Sequence, residues 1–267
     1  MTGIELRLSR LRVPGTDVYL MIPMDHGVSL GPLPGLVDLP RTLDAIARGG
    51  ASAVVFHKGN ARFVAPFAQR LGFVLHVSAS TSSTPDPNDK VIVTDPDEAA
   101  FLGADAVSTH TNFGALTENR QVEELGRTVR HAHRLGLPVL AMAYPRGPDV
   151  SDPFAPDRVM QASRAAAECG ADLVKTVYTG DVDTFREVVR GTPVPVLVAG
   201  GARTEDDQQV LDLVQGARDA GAKGISMGRN VFSHPHPERM VAALSAILVD
   251  GESAEEARRH LTQPLPA

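Results

Sequence analysis

The run GADLVKTVYTG, residues 170–180, carries a lysine at the end of an apolar stretch, where a core strand should be forming. An isolated buried ammonium is costly, so such a lysine must be neutral, paired or solvated through a cavity. Lys175 has two readings. Either its stem packs while the ammonium snorkels to solvent, or its amine is a Schiff-base nucleophile in a confined site. Lys58, Lys90, Lys175 and Lys223 are the only lysines in a chain that otherwise uses arginine, which favours amine chemistry at one of them. Lys58, following VVFH, is the main rival; Lys223 precedes the last strand on the opposite, structural face, and Lys90 sits in a polar loop. Tyr144 in AMAYPRG and Asp25 in IPMDHG also close apolar runs. A tyrosine so placed packs with its hydroxyl at a rim or transfers a proton. An aspartate so placed caps a loop or serves as acid or base beside an imine. VAGGART and SMGRNVF supply Gly200, Gly201, Gly228 and Arg229, with Ser226 beside them. These glycines are ordinary turns or, as preferred here, backbone N–H donors open to a phosphate, with Arg229 adding charge-assisted hydrogen bonds. His26, next to Asp25, is counted with the substrate-binding residues. His57, His76 and His110 fall on or near the following strands. No H-x-H or H-E-x-x-H spacing links these four histidines, so neither metal nor cofactor is expected.

A repeated unit positions these groups. GGASAVVF (49–56), LGADAVST (102–109), CGADLVKT (169–176) and AGAKGISM (220–227) each put a small-residue turn between a helix-like segment and a short β-prone run. Glycine just past a helix end permits a left-handed cap, and the alanine lets the strand start close beneath the helix. With the other apolar runs, strands are expected near 18–24, 53–56, 73–77, 106–109, 138–143, 172–176, 194–199 and 224–227. Most are apolar throughout, as strands covered on both faces are. Between most of them lie stretches with helical spacing of apolar residues, such as LPRTLDAIARGG and EDDQQVLDLVQGARDAGA. Eight such units predict an α/β fold, a (β/α)8 TIM barrel whose chemistry sits at the carboxyl ends of the strands. A doubly wound sheet is the alternative, without a strand-linked G-x-G-x-x-G to support it. Residues 1–267 are read as one barrel domain with a short N-terminal extension, and DGESAEEARRHL as a final surface helix followed by a polar tail. STPDPNDK and PRGPDVSDPFAPDR are loops after the third and fifth strands.

The chain has 267 residues, 43% of them hydrophobic, with a net charge of −6 and a single cysteine, Cys169. The acidic balance speaks against nucleic acid as a partner. No stretch approaches a membrane span, and the N-terminus lacks the apolar core of a secretory signal, so the protein is read as cytoplasmic.

PMDHGVSLGPLPGL, HKGNAR, AYPRG, GADLVKTVYTGD, VAGGART and GISMGRNVF, in order between residues 20 and 235, resemble the archaeal-type class I aldolases. That group includes fructose-bisphosphate aldolases and 2-amino-3,7-dideoxy-D-threo-hept-6-ulosonate synthases. The resemblance implies that Lys175 forms the Schiff base, Tyr144 transfers protons, Asp25 is the additional acid or base, and the glycine loops with Arg229 bind substrate phosphate. It also implies a homo-oligomer, a decamer of pentameric rings in some relatives. The glycolytic members carry a tryptophan two residues before the active tyrosine, where this chain has Met142. HVSAST and AMAYPRG look closer to the synthases and their secondary-metabolic relatives, in which aspartate 4-semialdehyde is condensed with a ketose-phosphate or dihydroxyacetone phosphate donor. The expected function is therefore a biosynthetic aldolase or transaldolase. Leu30 and Ala143 depart from the synthase pattern and are expected to reshape the acceptor pocket. Alternatives are fructose 1,6-bisphosphate cleavage, for which Arg146 or Arg62 would supply a second phosphate subsite, acyl transfer to coenzyme A, and a non-catalytic phosphometabolite-binding barrel.

Overall fold

The computed structural model describes residues 2–263. Eight parallel strands close into a barrel in chain order: β1 (Tyr19–Pro23), β2 (Ala53–Phe56), β3 (Gly72–His76), β4 (Ala106–Phe113), β5 (Val139–Pro145), β6 (Leu173–Val177), β7 (Val196–Ala199) and β8 (Gly224–Ser226). β8 returns to β1 with Tyr19 opposite Gly224. A Cβ at Gly224 would lie 1.9 Å from the Tyr19 carbonyl oxygen, so closure at this seam requires glycine. Strand residues are buried almost throughout, because side chains alternate between the barrel interior and the surrounding helices and neither side meets water.

The four repeated turns are one motif. Gly50, Gly103, Gly170 and Gly221 all have positive φ, between 77° and 98°. The following alanine N–H returns to a carbonyl in the last helical turn: Ala51 to Ile46, Ala104 to Ala99, Ala171 to Ala166 and Ala222 to Ala217, at 2.9 to 3.2 Å. This Schellman closure satisfies carbonyls the helix end would orphan and aims the chain into the next strand. Gly136 and Leu137 repeat it after the helix Glu118–Arg134.

Five findings add to or depart from the sequence reading. β4 and β5 run on to Phe113 and Pro145, beyond the expected 109 and 143, and pair from Val107 and Val139 to those ends. The expected strand stops at Thr109, yet the polar His110 and Asn112 beyond it find partners inside the molecule, His110 Nε2 meeting Asn112 Oδ1 and Asn112 Nδ2 donating to the Asn88 carbonyl. No α-helix separates β2 from β3; two 3-10 segments, Lys58–Phe63 and Ala65–Phe67, take its place. The loop after β3 contains a small antiparallel ladder, Ser78–Ala79 against Val91–Ile92. The N-terminal extension is a helix, Thr2–Arg10, fixed beneath the barrel by Arg7 donating to the Gly136 carbonyl and Ser52 donating to that of Leu11. At the other end, helix Pro237–Leu248 completes the outer ring. The expected final helix is a single α-turn, Ala254–Ala257, continued as 3-10 to Leu261; the end of the polar tail lies outside the described residues.

Candidate active site

Lys175 is the middle residue of β6, with Met142 of β5 and Leu197 of β7 as its register partners, and only 7% of it is exposed. Tyr144 projects from β5, one strand away, and Asp25 follows β1. These three, with Gly200, Gly201, Ser226, Gly228, Arg229 and His26, all line one cavity of about 320 Å³ at the carboxyl ends of the strands. The rival lysines separate by environment. Lys58 pairs with Glu98 at 3.0 Å on the outside, and Lys223 pairs with Asp17 near the start of β1. Lys90 sits on a loop as expected, but that loop brings it to the cavity wall, where it hydrogen-bonds Ser80. Met142 and Tyr144 line the cavity while Ala143, between them on the strand, is buried away from it. Ala143 thus does not shape an acceptor pocket, whereas Leu30 sits at the cavity wall. Arg146 also lines it and lies over the Tyr144 ring at 4.5 Å; Arg62 is outside, over Phe63.

Asp25 is held among imidazoles. Its carboxylate oxygens are 3.6 Å from His26 Nδ1 and 3.7 Å from His76 Nε2. Burial alone would raise the Asp25 carboxyl, but the positive charges of His76 and His26, when these rings carry a proton, and of Lys175 hold it below the usual carboxylate range. Burial drives His76 down to about 3, only partly opposed by Asp25. The same desolvation lowers His26, His57 and, well below its ordinary value, His110. At neutral pH the site is therefore an ionised aspartate in a shell of neutral imidazoles. His76 Nδ1 is fixed by Ser108 Oγ at 2.8 Å, and the His110 ring is tilted against Tyr144 at 5.0 Å. Asp25, His57 and His76 place donor atoms within 4.8 Å of one another. This set could hold a divalent cation, against the repulsion of the Lys175 ammonium.

The glycine loops form a cradle whose backbone no side chain could occupy. A Cβ at Gly228 would lie 2.6 Å from the Pro23 carbonyl oxygen and 2.5 Å from His26; one at Gly200 would meet Met227 at 2.8 Å. Gly201 has φ +69°. Arg229 is tethered by donating to the Gly201 carbonyl at 2.7 Å, while its buried Nε and the Ser226 hydroxyl find no partner among the described residues. Two unpartnered polar groups beside open backbone amides suit an incoming oxyanion. Asn230, which the sequence reading passed over, organises this cradle: its amide donates to the Gly200 and Ala202 carbonyls and its oxygen accepts from Thr204 N–H. The N that follows G-R in GRN was the available signal.

A parallel eight-stranded barrel with a cavity-facing lysine, a tyrosine one strand away and an anion cradle after β7 and β8 defines an aldolase-type enzyme of the Schiff-base class. Comparison with known proteins agrees. Residues 19–234 match the profile of the DeoC/LacD family aldolases. The chain is 43% identical to a 2-amino-3,7-dideoxy-D-threo-hept-6-ulosonate synthase from Halobacterium salinarum, over 96% of this chain and 95% of that one. It is 39% identical to a 2-amino-4,5-dihydroxy-6-oxo-7-(phosphonooxy)heptanoate synthase from Streptomyces griseus, over 95% and 93%. Among solved structures it superposes with TM-score 0.85, at 31% identity over 92% of this chain and 99% of the other, on an archaeal fructose-1,6-bisphosphate aldolase whose catalytic lysine is bound to the carbinolamine of its substrate. The chain belongs to the DeoC/LacD aldolase family and is an enzyme of the class I aldolase type.

Proposed function

We propose that this enzyme joins a ketose-phosphate or dihydroxyacetone phosphate donor to L-aspartate 4-semialdehyde through a Schiff base on Lys175, in a biosynthetic pathway. The observation that carries the reading is the convergence of Lys175, Tyr144 and Asp25 on one cavity that also holds the Gly200, Gly201, Gly228 and Arg229 cradle. With dihydroxyacetone phosphate as donor, its phosphate rests in the cradle, assisted by Ser226 and His26, and its carbonyl carbon meets the lysine amine. Attack by Nζ forms a carbinolamine; loss of water gives the protonated imine. The imine draws electron density from the neighbouring carbon, whose proton leaves to Tyr144 or Asp25, and the enamine attacks the acceptor aldehyde. The new alkoxide takes a proton, and water releases the product and regenerates the amine. A ketose-phosphate donor enters by the reverse steps, its own carbon–carbon bond breaking to leave the same enamine.

The choice of acceptor is supported by the relatives' products. A 2-amino-4,5-dihydroxy-6-oxo-7-phosphooxyheptanoate is a β-hydroxy ketone, and retro-aldol cleavage next to its hydroxyl gives dihydroxyacetone phosphate and aspartate 4-semialdehyde. Fructose 1,6-bisphosphate cleavage is the second reading, favoured by the additional cation Arg146 in the cavity. The test is borohydride reduction with dihydroxyacetone phosphate, fructose 1-phosphate or fructose 1,6-bisphosphate, with and without aspartate 4-semialdehyde, read by intact mass and peptide mapping. The expected result is a donor-sized adduct on Lys175, absent from Lys175→Met, and a new carbon–carbon bond with the semialdehyde. No adduct with any donor would sink the lysine assignment; turnover of the bisphosphate alone would favour the second reading.

The same reading makes the enzyme a cytoplasmic homo-oligomer. Large apolar side chains left uncovered on the monomer, Phe101 at 88% exposed and Leu116 at 80%, favour self-association. Light scattering at assay concentration tests it, a monomer mass refuting it. No helix among the described residues is long and apolar enough to cross a membrane.

A further inference from the structure

The cavity holds more positive charge than one phosphate requires. Lys90, Arg146, Lys175 and Arg229 all line it, and among the described residues Asp25 is the only carboxylate that does. None of these four cations has a carboxylate within ion-pairing distance among the described residues, whereas Lys58 and Lys223 are both paired on the surface. Arg229 belongs to the cradle after β7 and β8. Lys90 stands across the ring from it, on the loop after β3, and Arg146 follows β5. On an eight-membered ring of strands, the β3 and β7 ends are opposite each other.

The loop carrying Lys90 is built to hold still. The Asn88 carbonyl accepts from Gln121 Nε2 at 2.8 Å and from Asn112 Nδ2 at 2.9 Å, and both of these side chains are fully buried. Gln121 also accepts from the Asn112 backbone N–H, and Asn112 Oδ1 meets His110 Nε2 at 2.9 Å. Asp89 is held by Thr117 and Arg120, and Ser80, which receives the Lys90 ammonium, is fixed by donating to the Pro87 carbonyl. Burying two carboxamides to pin a surface loop costs desolvation unless every bond is made. Here they are made, and the result is a half-buried lysine at the cavity wall, which Arg146, stacked on Tyr144, also lines.

We propose that Lys90, flanked by Arg146, is a specificity-determining residue: it binds an anionic group at the far end of the acceptor aldehyde, opposite the phosphate cradle. This rests on the aldolase reading above, whose acceptors end in a carboxylate or a phosphate, and adds to it the residue that reads that anionic end. A neutral aldehyde would leave the ammonium facing an uncompensated cavity.

The test compares wild type, Lys90→Met and Lys90→Arg at saturating dihydroxyacetone phosphate, with L-aspartate 4-semialdehyde, D-glyceraldehyde 3-phosphate or butanal as acceptor. Lys90→Met should lose at least about tenfold more kcat/KM with an anionic aldehyde than with butanal, the scale of a lost charge-assisted hydrogen bond, and Lys90→Arg should recover most of it. Which anionic acceptor suffers separates carboxylate from phosphate. Equal losses with all three acceptors, or none with either anion, would overturn the proposal. If wild type condenses nothing, the aldolase reading fails instead, and a binding measurement without chemistry still decides. Calorimetry with hexitol 1,6-bisphosphate and hexitol 1-phosphate, which lack a carbonyl, should show Lys90→Met weakening the bisphosphate about tenfold or more relative to the monophosphate. Parallel weakening of both, or of neither, would refute the second subsite.

Discussion

Tyr144 lines the cavity while its ring packs against both His110 and Arg146, so its chemistry and its packing can be separated. Tyr144→Phe keeps the ring and should lower kcat by roughly 10²- to 10⁴-fold, the usual worth of a proton-transfer group, while borohydride still traps the donor on Lys175. Trapping that falls as far as turnover would move Tyr144 into imine formation. His76 gives a second prediction, on stability. Its folded-state value of about 3 lies below that of an unfolded histidine, so between about pH 6.5 and about pH 3 the unfolded chain binds a proton that the native state refuses. Stability therefore falls as pH drops through that window. Asp25, whose value is also lowered, adds in the same direction below about pH 4, because its contribution is lost on protonation. Urea melts from about pH 4 to about pH 6 should show His76→Gln removing about 1.4 kcal/mol per pH unit of slope, one proton's worth. An unchanged slope would mean that the buried imidazole is protonated in the native state.

At the scale of elements, the helix-to-strand turn is what the sequence announces most clearly. G-A after an amphipathic stretch and before an apolar run is a local signal, and every repeat of it folds as the same left-handed closure. Gly221 isolates its energetics, since a Cβ there meets nothing nearer than 3.7 Å, yet φ is +95°. Gly221→Ala should cost about 1 to 2 kcal/mol from backbone strain alone. Gly126, inside helix Glu118–Arg134 with open space around its would-be Cβ, should respond oppositely, Gly126→Ala stabilising by about 1 kcal/mol. Thermal melts of both variants check the pair. Lys175, Tyr144, Asp25 and the cradle glycines were legible for the same reason: each ends an apolar run or punctuates one, and barrel topology brings run ends together. Lys90, Asn112 and Gln121 were not legible. Their significance lies in contacts between the loop after β3, the extended end of β4 and a helix further along the chain, and no local periodicity encodes those. The end of β4 failed for a related reason, because polar residues such as Asn112 resemble a loop until their buried partners are known.

The whole molecule carries a net charge of −6, yet its cavity gathers Lys90, Arg146, Lys175 and Arg229 around a single carboxylate. An anionic substrate thus approaches a surface that repels it on average and a mouth that attracts it. Field lines from charges in a recess are focused through its opening, and that attraction is screened once the ionic atmosphere shrinks to the dimensions of the site. The cradle alone would give a modest dependence on salt; four cations around the donor and acceptor positions should give a steeper one that tracks substrate charge. Raising KCl from about 20 to about 300 mM should lower kcat/KM for dihydroxyacetone phosphate several-fold while changing that for unphosphorylated dihydroxyacetone less than about twofold. Parallel salt responses for the two donors would show that recognition is confined to short hydrogen bonds in the cradle, and that the cationic cavity plays no part in drawing substrate to a negatively charged protein.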